Sequence, residues 1–202
     1  LHPEIFLPER KELQYFSLNF SKSLDWYFSN FSERIDGQCM GEITPYYLFL
    51  PHVAERIFNV LGKIKIIVLL RDPVARTLSH YAHSRRLGFE HLPLEEALNS
   101  ESSRLRGAEL AIKNPNCLHK KHQECSYLSR SLYRIQVQRY WNYFGRDNVY
   151  IQPSEYLFSE PWGSLMKIHN FLGVQEQIKP QDSDLLVHAN AGQKSAQYIN
   201  YK

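Results

Sequence analysis

The chain reads as an α/β protein, a parallel sheet flanked by helices in three layers. Three observations lead there. Residues 65–70, Lys-Ile-Ile-Val-Leu-Leu, form an unbroken aliphatic and β-branched run with Gly62 before it and Asp72-Pro73 after it; that is how a strand buried on both faces of a parallel sheet reads. Helical spacing precedes the run and resumes directly after it, and helix–strand–helix alternation is the mark of a layered α/β fold. A second short apolar run, Asn-Val-Tyr-Ile-Gln at 148–152, supplies another strand.

Taken in order, residues 51–61 predict an amphipathic helix with Val53, Ile57, Val60 and Leu61 inward. After the 65–70 strand, Asp72 is placed to cap a helix and Pro73 to occupy its first turn, where a missing N–H is harmless. Ala75, Leu78 and Ala82 then recur at helical spacing. Residues 87–124 read as polar and irregular apart from a short helix at 94–99, the kind of long excursion that carries binding or disorder. Helical spacing returns over 127–144 through Leu128, Leu132, Ile135 and Tyr140, ending at Gly145. A last helix is predicted over 162–172, closed by Gly173 at the position that favours left-handed backbone.

With 202 residues, 43% of them hydrophobic and 13% aromatic, the chain suffices for one core, and a single domain over 1–202 is expected. A net charge of only +3 argues against a nucleic-acid binder and makes any anion site local. No run of eighteen apolar residues is present, so no membrane segment is predicted and the visible chain reads as soluble. It opens on Leu-His-Pro without an initiator Met or a signal-peptide core, which predicts an upstream stretch.

Cys39, Cys117 and Cys125 are too few for a disulfide scaffold and read as thiols. The stretch from Cys117 to Cys125 also carries His119 and His122. Its alternatives are an unligated polar loop, a Cys117–Cys125 bridge, or zinc, whose ligand types are present at a spacing that matches no established finger. No metal is expected.

In open α/β sheets, anions bind beyond the carboxyl ends of the strands. Arg71 stands at that edge, able to grip a phosphate bidentately, and the Ser79 hydroxyl on the next helix can add a hydrogen bond. The alternative is an Arg71–Asp72 pair with Ser79 as plain helix surface.

The wider pattern adds to this. Leu70-Arg-Asp-Pro-Val-Ala-Arg-Thr-Leu-Ser-His-Tyr81 resembles the 3′-phosphate element of the PAPS-dependent sulfotransferases. His2-Pro-Glu-Ile-Phe, Lys11-Glu-Leu-Gln-Tyr-Phe16, Asp25-Trp-Tyr and Gly41-Glu-Ile-Thr-Pro-Tyr-Tyr47 resemble successive segments of the heparan sulfate N- and 3-O-sulfotransferase domains and their bacterial relatives. So do Ser129-Arg-Ser-Leu-Tyr133 with Gln136, Trp141-Asn-Tyr-Phe, Val149-Tyr-Ile, Glu155-Tyr-Leu and Phe171-Leu-Gly173, and, more weakly, Gly192-Gln-Lys194-Ser.

That resemblance implies a P-loop-like sulfotransferase fold and transfer of a sulfonate group from 3′-phosphoadenosine 5′-phosphosulfate (PAPS) to an acceptor hydroxyl or amine, a saccharide among them. It places Glu12 as general base, since attack on sulfur is eased as the acceptor loses its proton. It places Arg71 and Ser79 on the 3′-phosphate, Tyr133 beside the nucleotide and Lys194 on a closing loop. Each has a plainer alternative: Glu12 paired with Lys11, Tyr133 packed in the core, Lys194 in a frayed tail.

Two departures stand out. The Lys-x-Gly-Thr-Thr type loop that holds the 5′-phosphosulfate, with its strand and helix, is missing from this sequence. Ile43 stands where several relatives carry a lysine. Arg85, Arg86, Arg104, Arg106, Lys113, Lys120 and Lys121 suit an anionic saccharide, although Glu90, Glu95, Glu96 and Glu101 interrupt them. The competing readings are a catalytically silent nucleotide-binding relative and a P-loop kinase; against the latter, Asp72 is better placed as a cap than as a Mg²⁺ ligand. The compartment is left open, cytoplasmic for a bacterial source or Golgi lumen for an animal one.

Overall fold

A computed structural model describes residues 2–114, 117 and 119–175. In chain order the elements are β1 (Ile5–Phe6), α1 (Leu24–Ser29), β2 (Cys39–Met40), α2 (Tyr46–Phe49), α3 (Val53–Leu61), β3 (Ile66–Leu70) and α4 (Pro73–Arg86). There follow α5 (Leu94–Arg104), α6 (Ala108–Ala111), α7 (Lys120–Glu124), α8 (Tyr133–Phe144), β4 (Val149–Pro153), α9 (Ser154–Ser159) and α10 (Pro161–Leu172). The strands form two parallel ladders, β1 with β2 and β3 with β4, the second in register from Ile66↔Val149 to Leu70↔Pro153. The fold is α/β with parallel strands and helices, as the sequence predicts.

The 65–70 strand is present but not covered on both faces. Val68 is buried, whereas Ile67 and Leu69 are 38% and 43% exposed. Side chains alternate along a strand; among the described residues only the face carrying Val68 packs into the core.

That core is aromatic. Leu13, Phe16, Tyr27, Tyr47, Leu50, Val53, Tyr140 and Phe144 are buried in one cluster with Ile57, Val68 and Val149. Phe16 meets the edges of the Tyr27 and Tyr47 rings, and Tyr15 stacks on Tyr27 at 4.7 Å. In α3 the predicted inward residues Val53 and Ile57 are buried, with Val60 and Leu61 packed against the cluster.

Several expectations need correction. On α4 the buried positions are Thr77, Tyr81 and Ser84, not Ala75, Leu78 and Ala82. The inward face is polar because Thr77 Oγ1 donates to the Tyr127 carbonyl and Ser84 Oγ to the Glu124 carbonyl. The 127–144 helix starts only at Tyr133, after a 3₁₀ turn at Ser129–Ser131. The segment before it is held by a distant group: the Glu101 carboxylate on α5 accepts from Leu128 N, Ser129 N and Ser129 Oγ, which ties the 3₁₀ turn to that helix. Leu128, Leu132 and Ile135 are exposed, and Gln136, Val137, Tyr140 and Phe144 turn inward instead.

Nor is the 87–124 excursion irregular. It carries α5, α6 and α7 and contributes Ala97, with Leu92, Leu94 and Leu98 packed alongside, to a second small core with Tyr81, Cys125 and Tyr127. Glu90 is buried against Arg104, the Tyr127 hydroxyl and the His91 and Leu92 amides. Cys39, Cys117 and Cys125 are free thiols, so the bridge does not form. His119 accepts from His122 N at the start of α7, and the His122 ring shares a 2.8 Å hydrogen bond with Tyr46. The predicted terminator Gly173 has φ 77° at the end of α10, as a C-terminal glycine should. Among the described residues no helix is long and apolar enough to cross a membrane.

Candidate active site

Because Leu70 pairs with Pro153, the chain leaves both strands at one edge, with Arg71 and Asp72 on one side and Ser154 and Glu155 on the other. Asp72 caps α4 as expected: its Oδ1 accepts from Ala75 N at 2.8 Å, and Pro73 occupies the first turn. Its own amide donates to Glu155 Oε1 at 2.9 Å, a bond that lowers the Glu155 carboxyl. Two backbone donors at this helix end are therefore taken by carboxylates, so an anion here has to be held by side chains.

Arg71 is exposed, and among the described residues no carboxylate lies within ion-pairing distance of it, Asp72 included. Ser79 is exposed too and lies about 20° around the helix from Asp72, roughly 10 Å along the axis. The Tyr133 hydroxyl donates to the Arg71 carbonyl at 3.0 Å, which brings Tyr133 to the same edge; it is half-buried, and that burial raises its phenol. Lys194 lies outside the described residues.

Arg76 and Ser131 were not singled out by the sequence reading, yet they frame this edge. Arg76 donates through Nε to Ser131 Oγ at 2.6 Å and through Nη2 to the Tyr127 carbonyl. Ser131 Oγ in turn donates to the Pro73 carbonyl at 3.1 Å. The turn before α8 is thereby tied to the first turn of α4. The Ser-Arg-Ser at 129–131, before Leu132-Tyr133, is the signal of this in the sequence.

Glu12 sits apart from the β3–β4 edge in sequence, on an exposed turn of unusual backbone. Glu12 and Gln14 have φ of 53° and 54°, left-handed values that non-glycine residues seldom adopt, while Leu13 between them is fully buried. Gln14 Nε2 donates to Glu12 Oε2 at 3.1 Å and Gln14 Oε1 accepts from Ser17 Oγ at 2.6 Å. Held backbone of this kind is found where structure is used for positioning. The expected alternative, a Glu12–Lys11 pair, does not occur: among the described residues the ion pairs are Arg34–Asp36 and Arg104–Glu90. Ile43 is 64% exposed, an apolar side chain presented to solvent just beyond β2.

The sulfotransferase domain family matches residues 9–202. The chain belongs to this family. It is 26% identical to the membrane-associated sulfotransferase kil1 of Dictyostelium discoideum, over 99% of this chain and 58% of that protein. It is 24% identical to heparan sulfate glucosamine 3-O-sulfotransferase 5 of Mus musculus and 27% identical to 3-O-sulfotransferase 3B1 of Homo sapiens, over 88% of this chain in both cases and 49% and 42% of those proteins. The chain thus spans about half the length of the curated relatives it matches. A sulfotransferase crystal structure from Alicyclobacillus acidocaldarius superposes with a TM-score of 0.74 at 28% identity, covering 89% of this chain and 75% of that one.

Proposed function

We propose that the protein transfers a sulfonate group from PAPS to a hydroxyl or amine of a saccharide acceptor. The observation that carries this is Arg71: an exposed guanidinium at the carboxyl end of β3, with no carboxylate within ion-pairing distance among the described residues although Glu155 feels its charge, in a chain of the sulfotransferase family. With Ser79 exposed on the helix that follows and Tyr133 bonded to its carbonyl, it suits the 3′-phosphate of a nucleotide donor. Lys194 is assigned to the same nucleotide on the strength of the sequence resemblance alone.

The donor supplies a sulfonate whose bond to the bridging phosphate oxygen breaks as the new S–O or S–N bond forms. Glu12 receives the proton that the acceptor group gives up, and its carboxylate is aimed by the Gln14 amide. The saccharide assignment rests on the names of the heparan sulfate relatives and on four exposed cations of the excursion, Arg106, Lys113, Lys120 and Lys121. Arg104 is withdrawn from that set by its pairing with Glu90. A catalytically silent nucleotide binder is the second reading, favoured by the exposed Ile43.

Titration calorimetry of the full-length protein with adenosine 3′,5′-bisphosphate tests the central point. Arg71→Ala is expected to weaken binding about 10–100-fold, the worth of a charge-assisted hydrogen bond of about 1.5–3 kcal/mol. Unchanged affinity removes Arg71 from the site. Glu12→Gln is expected to lower turnover with little change in nucleotide affinity; turnover equal to that of the unaltered protein rules Glu12 out as base.

A further inference from the structure

A second carboxyl, Glu42, lies just past the carboxyl end of β2, on the turn that Gly41 opens. Its Oε2 is buried and has no hydrogen-bond partner among the described residues. The groups that feel its charge are phenols, Tyr27 on α1 and Tyr47 on α2, and among the described residues no cation lies within ion-pairing distance. Burial accordingly pushes the carboxyl up to about 7, against the pull of the Tyr47 hydroxyl, which favours the ionised form by hydrogen bonding.

Tyr47 looks two ways. Its hydroxyl faces Glu42, and its oxygen accepts from Phe16 N at 3.1 Å in the buried core. Phe16 belongs to the turn that carries Glu12. The next residue, Ser17, donates from Oγ to Gln14 Oε1, and Gln14 Nε2 donates to Glu12 Oε2, so the backbone of the turn links the Phe16 amide to these side chains. A donor that gives its proton to an anion becomes a better acceptor in turn, because such chains polarise one another. Ionised Glu42 therefore tightens the Tyr47–Phe16 bond, and neutral Glu42 loosens it.

We propose that Glu42 is a positioning residue that acts on Glu12 through Tyr47 and the 12–17 turn, holding that turn in its working conformation when the Glu42 carboxyl is ionised. This rests on the reading of Glu12 as base, and the test separates the two. In full-length protein labelled with ¹⁵N-phenylalanine, the Phe16 amide is followed against pH in the unaltered chain, in Glu42→Gln and in Tyr47→Phe. The resonance is expected to titrate with a midpoint near 7 in the unaltered chain and to be flat in both variants. No titration, or one that survives in Glu42→Gln, overturns the proposal, and needs no acceptor to be known.

For turnover, the probe is ³⁵S-labelled PAPS with N-desulfated heparan as acceptor. The kcat of the unaltered protein is expected to rise through pH 7 while that of Glu42→Gln does not, with KM for PAPS changed by less than about twofold. Identical pH profiles overturn a catalytic consequence of Glu42. If the Phe16 titration follows Glu42 but Glu12→Gln turns over normally, the linkage stands and the assignment of Glu12 as base fails.

Discussion

Around Phe144 and Leu13 the protein is held by rings and aliphatic groups, whereas around Tyr127 it is held by two buried carboxylates, Glu90 and Glu101, and the donors that meet them. Both regions are densely packed. The first depends on area removed from water, which pH leaves alone. The second depends in part on the ionised Glu90 carboxylate, and what that contributes disappears when Glu90 takes up a proton. Regions of similar burial can therefore fail under opposite conditions.

The largest effects break each region by its own means. Phe144→Ala is expected to destabilise by about 3–5 kcal/mol in urea unfolding, equally at neutral and mildly acidic pH. Glu90→Ala is expected to be as severe at neutral pH, about 3–5 kcal/mol, because the part-buried Arg104 and the buried Tyr127 hydroxyl both lose their partner. Burial alone would raise the Glu90 carboxyl, but the bonds from Arg104, Leu92 N and Tyr127 bring it down to about 2. Its contribution is thus present above the ordinary value of 4.5 and lost as pH falls toward 2, so the cost of Glu90→Ala should shrink in acid.

The histidines sharpen the same contrast. Burial presses His80 and His122 down to about 3, with Arg130 nearby adding to the effect in both. Their stabilising neutral forms persist above 6.5 and are lost as pH falls through 3. Amides of 119–131 should consequently lose protection from hydrogen exchange in acid before those of 13–16.

Glu42 runs the other way. Its carboxyl is raised, so the stability it contributes is present below 4.5 and lost as pH rises through about 7. Glu42→Gln is expected to match the unaltered protein in unfolding free energy near pH 4.5 and to exceed it by about 1–3 kcal/mol at pH 8. Smallest of all, Leu69→Ser on the open face of β3 should change stability by less than about 0.5 kcal/mol.

The legible parts of the sequence were those governed by local rules. β3, the Asp72 cap and the Gly173 terminator need only a few neighbouring residues to specify them, and each is where it was expected. Arg71 and Ser79 could be proposed because they stand at fixed offsets from that strand and cap, whereas Tyr133 was proposed only through the family resemblance. The excursion was misread because hydropathy treats every glutamate as solvent-facing, and Glu90 and Glu101 are partnered by groups up to 37 residues away. The 3₁₀ turn before α8 is likewise tied by a carboxylate from α5, a partner that helical spacing does not reveal. No pattern in one sequence shows that Tyr47 lies between Phe16 and Glu42.

The left-handed backbone at Gln14 has a consequence for anyone seeking a hardier variant. Glycine follows such a path without steric penalty, so Gln14→Gly would relieve about 1 kcal/mol of strain while deleting the amide that steers Glu12. A screen for heat tolerance would reward that exchange, and a screen for turnover would discard it.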